Sequence, residues 1–347
     1  MSRPINIAVI GYGLGGRVFH APYIKAVEGL NLSAIVSSRK EEIARAHPDV
    51  PVLSDPEAVL ADPAVDVVVV STPNASHAGL ATKALNAGKH VVIDKPFAET
   101  AAEARIVMQK ARGRLLTVFH NRRWDGDFLT LKQLIANGSL GELAYVESHF
   151  DLYRPVVTQR WREQPGSSSG SWYDLGSHLL DQALNLFGLP LALAADLDVL
   201  RPDGRTTDYF RVLLRYRRLR VVLMGNYLAR SDVRWIVHGS KASYIKHGLD
   251  PQQPQLVGGG AISDPGFGVD PQPGHLVLPG GEEIVPPTIT GDYRAFYQGL
   301  RDCLKGLAPV PVSAGEALAV MDLMALAEKS AEQRCEIAVP DSVGLLP

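Results

Sequence analysis

Ile5-Asn6-Ile7-Ala8-Val9-Ile10-Gly11-Tyr12-Gly13-Leu14-Gly15-Gly16 is the stretch that decides the fold. A nearly continuous apolar run from Ile5 to Ile10 predicts a strand buried on both faces. It leads directly into G-x-G-x-x-G, and the residues behind it take on helical character. In that setting Gly11 permits a tight turn, Gly13 lets the backbone approach a pyrophosphate, and Gly16 allows close helix–strand packing. Tyr12, Leu14 and Gly15 complete the turn as candidate cofactor contacts. The phosphates would lie at the helix N-terminus, where free N–H groups and the dipole favour anions.

Outward from this turn, strand and helix signals alternate over the first 120 residues. Further strands are expected at Leu32 to Val36, Val50 to Leu53, Val65 to Val70, His90 to Ile93 and Leu115 to Phe119. Ala78 to Ala87 reads as a helix stopped by Gly88, and Thr100 with Glu103 has the spacing of a capping box. Alternation of this kind predicts an α/β domain over residues 1–121, a Rossmann-type doubly wound parallel sheet.

From about residue 122 to 347 the grammar changes to α+β. A helix is expected from Phe128 to Ala136. Strands follow at Tyr145 to Leu152, Asp208 to Tyr216, Arg220 to Tyr227, Trp235 to Gly239 and Tyr244 to His247, suggesting a large, mainly antiparallel sheet. Pro251 to Pro287 reads as irregular loop, and Asp292 to Leu304 and Ala314 to Glu332 as closing helices.

Composition narrows the function. The chain has 347 residues, too many for one ordinary core. Its net charge of -2 gives no whole-chain positive field for nucleic acid or anionic membrane. Only Cys303 and Cys335 occur, outside any C-x-x-C pair, so neither a disulfide framework nor a thiolate metal site is expected. No segment reads as a signal peptide or a membrane span, and the expected location is the cytoplasm.

Four further constellations carry chemistry. The second strand ends Ser37-Ser38-Arg39, with no carboxylate where NAD-binding folds hold the ribose 2′-hydroxyl. Two hydroxyls and a guanidinium suit a 2′-phosphate, so the expected cofactor is NADP. Thr72, Pro73, Asn74 and His77 lie at the carboxyl end of a parallel strand, where such sheets bind ligands; Asn74 is a cofactor candidate too, but by itself reads better as a helix N-cap. Asp94-Lys95-Pro96 follows another buried strand, and a lysine there can stabilise charge on a reacting oxygen. Asp174 and His178, four apart on a predicted helix whose apolar stripe is Leu180, Leu184 and Phe187, form a candidate acid–base pair. Read alone, such a pair is more often a surface or capping arrangement, and it could also be half of a metal site, but no cluster completes a metal shell.

With these residues the chain resembles the Gfo/Idh/MocA family of oxidoreductases over essentially its whole length. The N-terminal glycine turn, a lysine–proline pair after the fifth strand and a D-x-x-x-H helix occur in that order. The family's usual Glu-Lys-Pro is here Asp94-Lys95-Pro96. His120-Asn121-Arg122-Arg123-Trp124-Asp125, Arg160-Trp161-Arg162-Glu163 and Trp172-Tyr173-Asp174-Leu175-Gly176 look most like the NADP-dependent scyllo-inositol dehydrogenase branch.

The resemblance implies an open-faced second sheet that packs in homodimers or homotetramers, and a polyol or sugar substrate. It implies that Lys95, Asp174 and His178 are catalytic and that Asp94 contacts the nicotinamide ribose. Asn121, Tyr153, Trp161 and Arg162 fall at the substrate or nicotinamide end. Which of Lys95 and His178 is the base stays open at this level. So do a different sugar, aldose or imine substrate and a non-catalytic NADP-sensing regulator.

Overall fold

The structure, a computed structural model, describes residues 3–159, 163–166 and 168–345. Six strands make the first sheet: β1 (Ile5–Ile10), β2 (Leu30–Val36), β3 (Val52–Leu53), β4 (Val67–Val70), β5 (His90–Asp94) and β6 (Leu116–Phe119). All pair in parallel, in the order β3-β2-β1-β4-β5-β6. The expected doubly wound sheet is therefore present. β4 begins two residues later than its apolar run because the Val65 N–H turns back to the Asp62 carbonyl at 3.2 Å. Thr100 caps the helix Ala101–Ala111 by accepting from the Glu103 N–H at 3.2 Å. The return half of the expected capping box is redirected, since the Glu103 carboxylate takes the Glu99 N–H instead.

Nine strands make the second sheet: β7 (Leu143–His149), β8 (Ala192–Asp198), β9 (Tyr209–Arg215), β10 (Arg220–Asn226), β11 (Val233–Gly239), β12 (Ser243–His247), β13 (His275–Val277), β14 (Glu283–Ile284) and β15 (Ile337–Ala338). The order is β14-β13-β12-β11-β7-β10-β9-β8-β15. Pairing is antiparallel except between β7 and β10, which run parallel because β7 inserts between two later strands. The stretch expected to be irregular loop holds the helix Gln252–Val257 and the strands β13 and β14. β8, rich in alanine, gives little strand signal of its own; its seven-residue pairing with β9 makes it a strand.

The helices Ser177–Phe187 and Ala314–Gln333 cover one face of this sheet. Leu179, Leu180, Leu323 and Met324 pack there against Val146, Phe210, Val212 and Val221. Alternate residues on the other face, such as Glu147, Arg211 and Leu213, stay partly exposed.

The C-terminal segment returns to the first sheet. Tyr293, Phe296, Tyr297 and Leu300, on or beside the helix Arg294–Leu304, pack against Ile7, Val9, Val67 and Val69. Ala317, Leu318 and Met321 join Ala8, Ile10, Val68 and Val70 on the opposite face. Both faces of the parallel sheet are thereby buried, as its continuous valine and isoleucine runs require.

Candidate active site

The glycine turn sits between the ends of β2 and β4. The Gly11 N–H donates to the Val36 carbonyl at 3.0 Å, and the Ser71 N–H donates to the Ile10 carbonyl at 2.8 Å. Gly11 has φ +105°, and a Cβ there would run into the Ser71 carbonyl. A Cβ on Gly16 would strike the Gly11 carbonyl, whereas one on Gly13 would meet nothing within 4 Å. Gly11 and Gly16 are thus glycine for the fold, while Gly13 leaves space that the fold itself does not use. That open cradle fits a dinucleotide pyrophosphate. Leu14 borders it, exposed. The Tyr12 side chain turns inward, with its hydroxyl 3.0 Å from His47 Nε2, so only its backbone faces the cradle.

At the end of β2 the Arg39 N–H donates to Ser37 Oγ at 3.2 Å, and Ser38 and Arg39 are exposed. A carboxylate does reach this place, from the next helix, Lys40–Ala46. Glu42 lies 3.5 Å from Arg39 Nη1 and 3.9 Å from Arg17 Nε. The sequence reading missed Glu42 and Arg17. The Arg39–Glu42 spacing of i,i+3 was the one available signal.

After β4, Thr72 Oγ1 lies 2.6 Å from Ser76 Oγ, and Ser76 in turn donates to the Pro73 carbonyl. Asn74 is not a cap. Its buried amide donates across the cleft to the Ser168 carbonyl and Oγ, both at 3.1 Å. His77 places Nδ1 2.8 Å from the Pro96 carbonyl and Nε2 2.9 Å from the Thr72 carbonyl, tying the β4 and β5 loops together.

Asp94 lies under the glycine turn; a Cβ on Gly15 would strike its carboxylate. It accepts from Ser71 Oγ at 3.0 Å and from the Lys95 N–H at 2.9 Å, and His20 Nε2 stands 3.4 Å away. Burial alone would raise its pKa, but the His20 contact and the positive groups around it outweigh burial and hold the carboxyl far below its usual range. Behind it, His20 Nδ1 is 2.6 Å from the Tyr297 hydroxyl. His20 and Tyr297 are fully buried and were not singled out from sequence.

The Lys95–Pro96 peptide is cis. Lys95 Nζ crosses to the second domain and donates to the Asp174 carbonyl at 2.6 Å and to Asp174 Oδ1 at 3.0 Å. Asp174 belongs to a wide helical turn, Trp172–Gly176, which runs into the helix Ser177–Phe187 carrying His178. The simple α-helical face expected for the pair is therefore altered. The expected stripe packs on the core of the second sheet, with Leu180 buried and Leu184 and Phe187 partly buried against it, while His178, Asp181 and Gln182 are buried as well.

Asp181 is gripped by Arg123 at 2.7 Å, and Gln182 links the Arg122 carbonyl to the Arg234 guanidinium. Burial pushes the pKa of His178 well below its ordinary value, and the positive charges of Lys95, Arg122, His120 and Arg234 push the same way. Its Nδ1 is buried without a hydrogen-bond partner.

Asn74, Lys95, Pro96, Ser168, Tyr173 and Asp174 line a cavity of about 10 Å³ between the domains, roughly one water wide. Asn121 is buried in the turn Asn121–Trp124. Tyr153 is half exposed, with the Arg230 guanidinium 3.7 Å above its ring. Trp161 and Arg162 lie outside the described residues. Among the described residues no group of three or more His, Cys, Asp or Glu could hold a metal ion. Among them, too, no helix is long and apolar enough to cross a membrane.

Comparison with known proteins agrees with this geometry. Residues 5–121 match the NAD-binding Rossmann fold of an oxidoreductase family, and residues 132–339 match that family's C-terminal alpha/beta domain. An uncharacterized oxidoreductase of Escherichia coli, YdgJ, is 48% identical over 98% of this chain and 100% of its own length. The Bacillus subtilis scyllo-inositol 2-dehydrogenase (NADP(+)) IolW is 37% identical over 95% of this chain and 94% of its own. Among solved structures, an oxidoreductase from Yersinia pestis superposes with a TM-score of 0.94 at 46% identity, over 98% of each chain.

Proposed function

We propose, because this chain belongs to the Gfo/Idh/MocA family of oxidoreductases, that it is an NADP-dependent dehydrogenase. On this reading it reversibly oxidises a secondary alcohol of a cyclic polyol, scyllo-inositol to its keto form. Residues 1–121 hold the cofactor, and 122–347 hold the substrate and build a homodimer or homotetramer in the cytoplasm. The observation that carries the reading is the contact of Lys95 Nζ with Asp174 across the two domains, beside a buried His178. The scyllo-inositol 2-dehydrogenase relative supports the choice of substrate and of NADP.

The bound nicotinamide supplies the hydride acceptor, and this chain supplies placement and charge. Gly11 to Gly16 receive the pyrophosphate, with Ser37, Ser38 and Arg39 at the adenosine ribose. Thr72, Pro73, Asn74, His77, Asp94 and Pro96 line the nicotinamide half. His178 enters the reaction neutral, so its imidazole has an unprotonated nitrogen with which to take the hydroxyl proton. Lys95 Nζ stabilises the negative charge that develops on that oxygen. Asp174 holds Lys95 in position and orients the substrate. Asn121 and Tyr153 are the remaining substrate candidates.

The test is replacement of each acid–base residue. His178→Ala and Lys95→Ala should each lower kcat for polyol oxidation by on the order of a hundredfold or more. Near-normal turnover in either variant removes that residue from the chemistry.

A further inference from the structure

We propose that Arg17 and Arg39 together form the seat of the cofactor's 2′-phosphate, and that Glu42 is the anion they hold until the phosphate displaces it. The inference rests on the NADP reading above and deepens it to how the chain chooses between NADP and NAD. Arg39 follows β2, while Arg17 stands in the first helical turn after Gly16, yet both guanidiniums reach the same carboxylate. The two side chains therefore converge on one point at the mouth of the glycine turn. The charges of Glu42 and Arg17 also act on the hydroxyl of Tyr12, the second residue of that turn. Burial raises its pKa most, Glu42 adds to the rise, and Arg17 opposes it.

The carboxylate is loosely held. Its contacts are 3.5 and 3.9 Å long, and the side chains of Arg17, Arg39 and Glu42 are 46%, 54% and 42% exposed. Long, exposed ion pairs contribute little, so this one exchanges readily. Two guanidiniums around one carboxylate leave a net positive charge. A phosphate monoester brings close to two negative charges and three acceptor oxygens, which suit two planar forks better than a single carboxylate does. Glu42 cannot stay beside it, because like charges repel at that distance. It lies in the exposed first turn of its helix and is free to swing toward solvent. With NAD no such displacement occurs, and the Glu42 carboxylate is able to accept a hydrogen bond from the ribose 2′-hydroxyl. Glu42 is thus the residue that weighs one cofactor against the other.

The experiment measures dissociation constants of NADPH and NADH by nicotinamide fluorescence on the full chain and on Arg17→Ala, Arg39→Ala and Glu42→Gln. Each arginine variant should weaken NADPH tenfold or more and leave NADH within about twofold. Glu42→Gln should tighten NADPH several-fold without tightening NADH. Equal effects of Arg17→Ala on the two cofactors overturn the two-arginine seat, and so does an effect of Arg39→Ala alone; the NADP reading survives both results. Unchanged or weaker NADPH binding by Glu42→Gln overturns the displacement. A chain that binds both cofactors equally, with no variant separating them, ends the NADP reading and this inference together.

Discussion

Burial and four neighbouring positive groups disfavour the imidazolium form of His178, and this has a direct consequence for pH. A lowered pKa keeps the ring neutral as the pH falls through the ordinary histidine value of 6.5. The acid limb of kcat/KM for alcohol oxidation should therefore lie clearly below 6.5. A limb at or above that value would show that His178 is not the base, or not buried among cations during turnover. At this scale the sequence was partly readable. Lys95 stood out because a proline follows it and a buried strand precedes it. His20, Tyr297 and the Arg17–Glu42 contact did not, because His20 lies 277 residues from Tyr297 and 74 from Asp94, and Glu42 lies 25 from Arg17, and no local pattern announces a contact made through the fold.

Elements explain why residues of one type serve different ends. Gly11 and Gly13 sit two apart in one turn, but only Gly11 has a positive φ and a blocked Cβ position. Gly11→Ala should cost on the order of 3 kcal/mol, from backbone strain and the clash with the Ser71 carbonyl. Gly13→Ala should melt like the parent and lose tenfold or more in affinity for nicotinamide cofactor. Paired thermal melts and binding titrations check both; equal stability losses would mean that Gly13 is also a fold residue.

The helix Arg294–Leu304 makes a second case. It carries Tyr297 beneath the glycine turn, where the hydroxyl meets His20 behind Asp94. Tyr297→Phe removes that partner from a buried ring nitrogen and should lower stability by about 1–2 kcal/mol in a denaturant titration. No loss would show that the contact contributes nothing. Strand and helix positions were legible from periodicity, to within about two residues at most ends. The wide turns Gly15–His20 and Trp172–Gly176 were not, since a one-residue change in helical pitch leaves no mark in an apolar pattern.

At the scale of the whole molecule, the two sheets share a C-terminal segment. Helices beyond residue 290 close both faces of the parallel sheet, so the cofactor domain is not sealed by its own residues. Residues 1–121 expressed alone should expose Ile7, Val9 and Val69 and fail to melt cooperatively. A sharp melt of that fragment would show that the C-terminal packing is dispensable. The parallel architecture was legible because alternating strand and helix signals leave few topologies open. The order of the second sheet was not, because β7 pairs with strands more than 70 residues away.

Polyol oxidation with NADP is read out by the initial rate of reduced-nicotinamide formation from scyllo-inositol. NADP and NAD are run side by side, with myo-inositol and glucose as comparison substrates. Turnover with scyllo-inositol and NADP, faster than with NAD, is the expected result. Silence on every polyol while NADPH still binds tightly would contradict it, leaving another carbonyl substrate or a cofactor-sensing role.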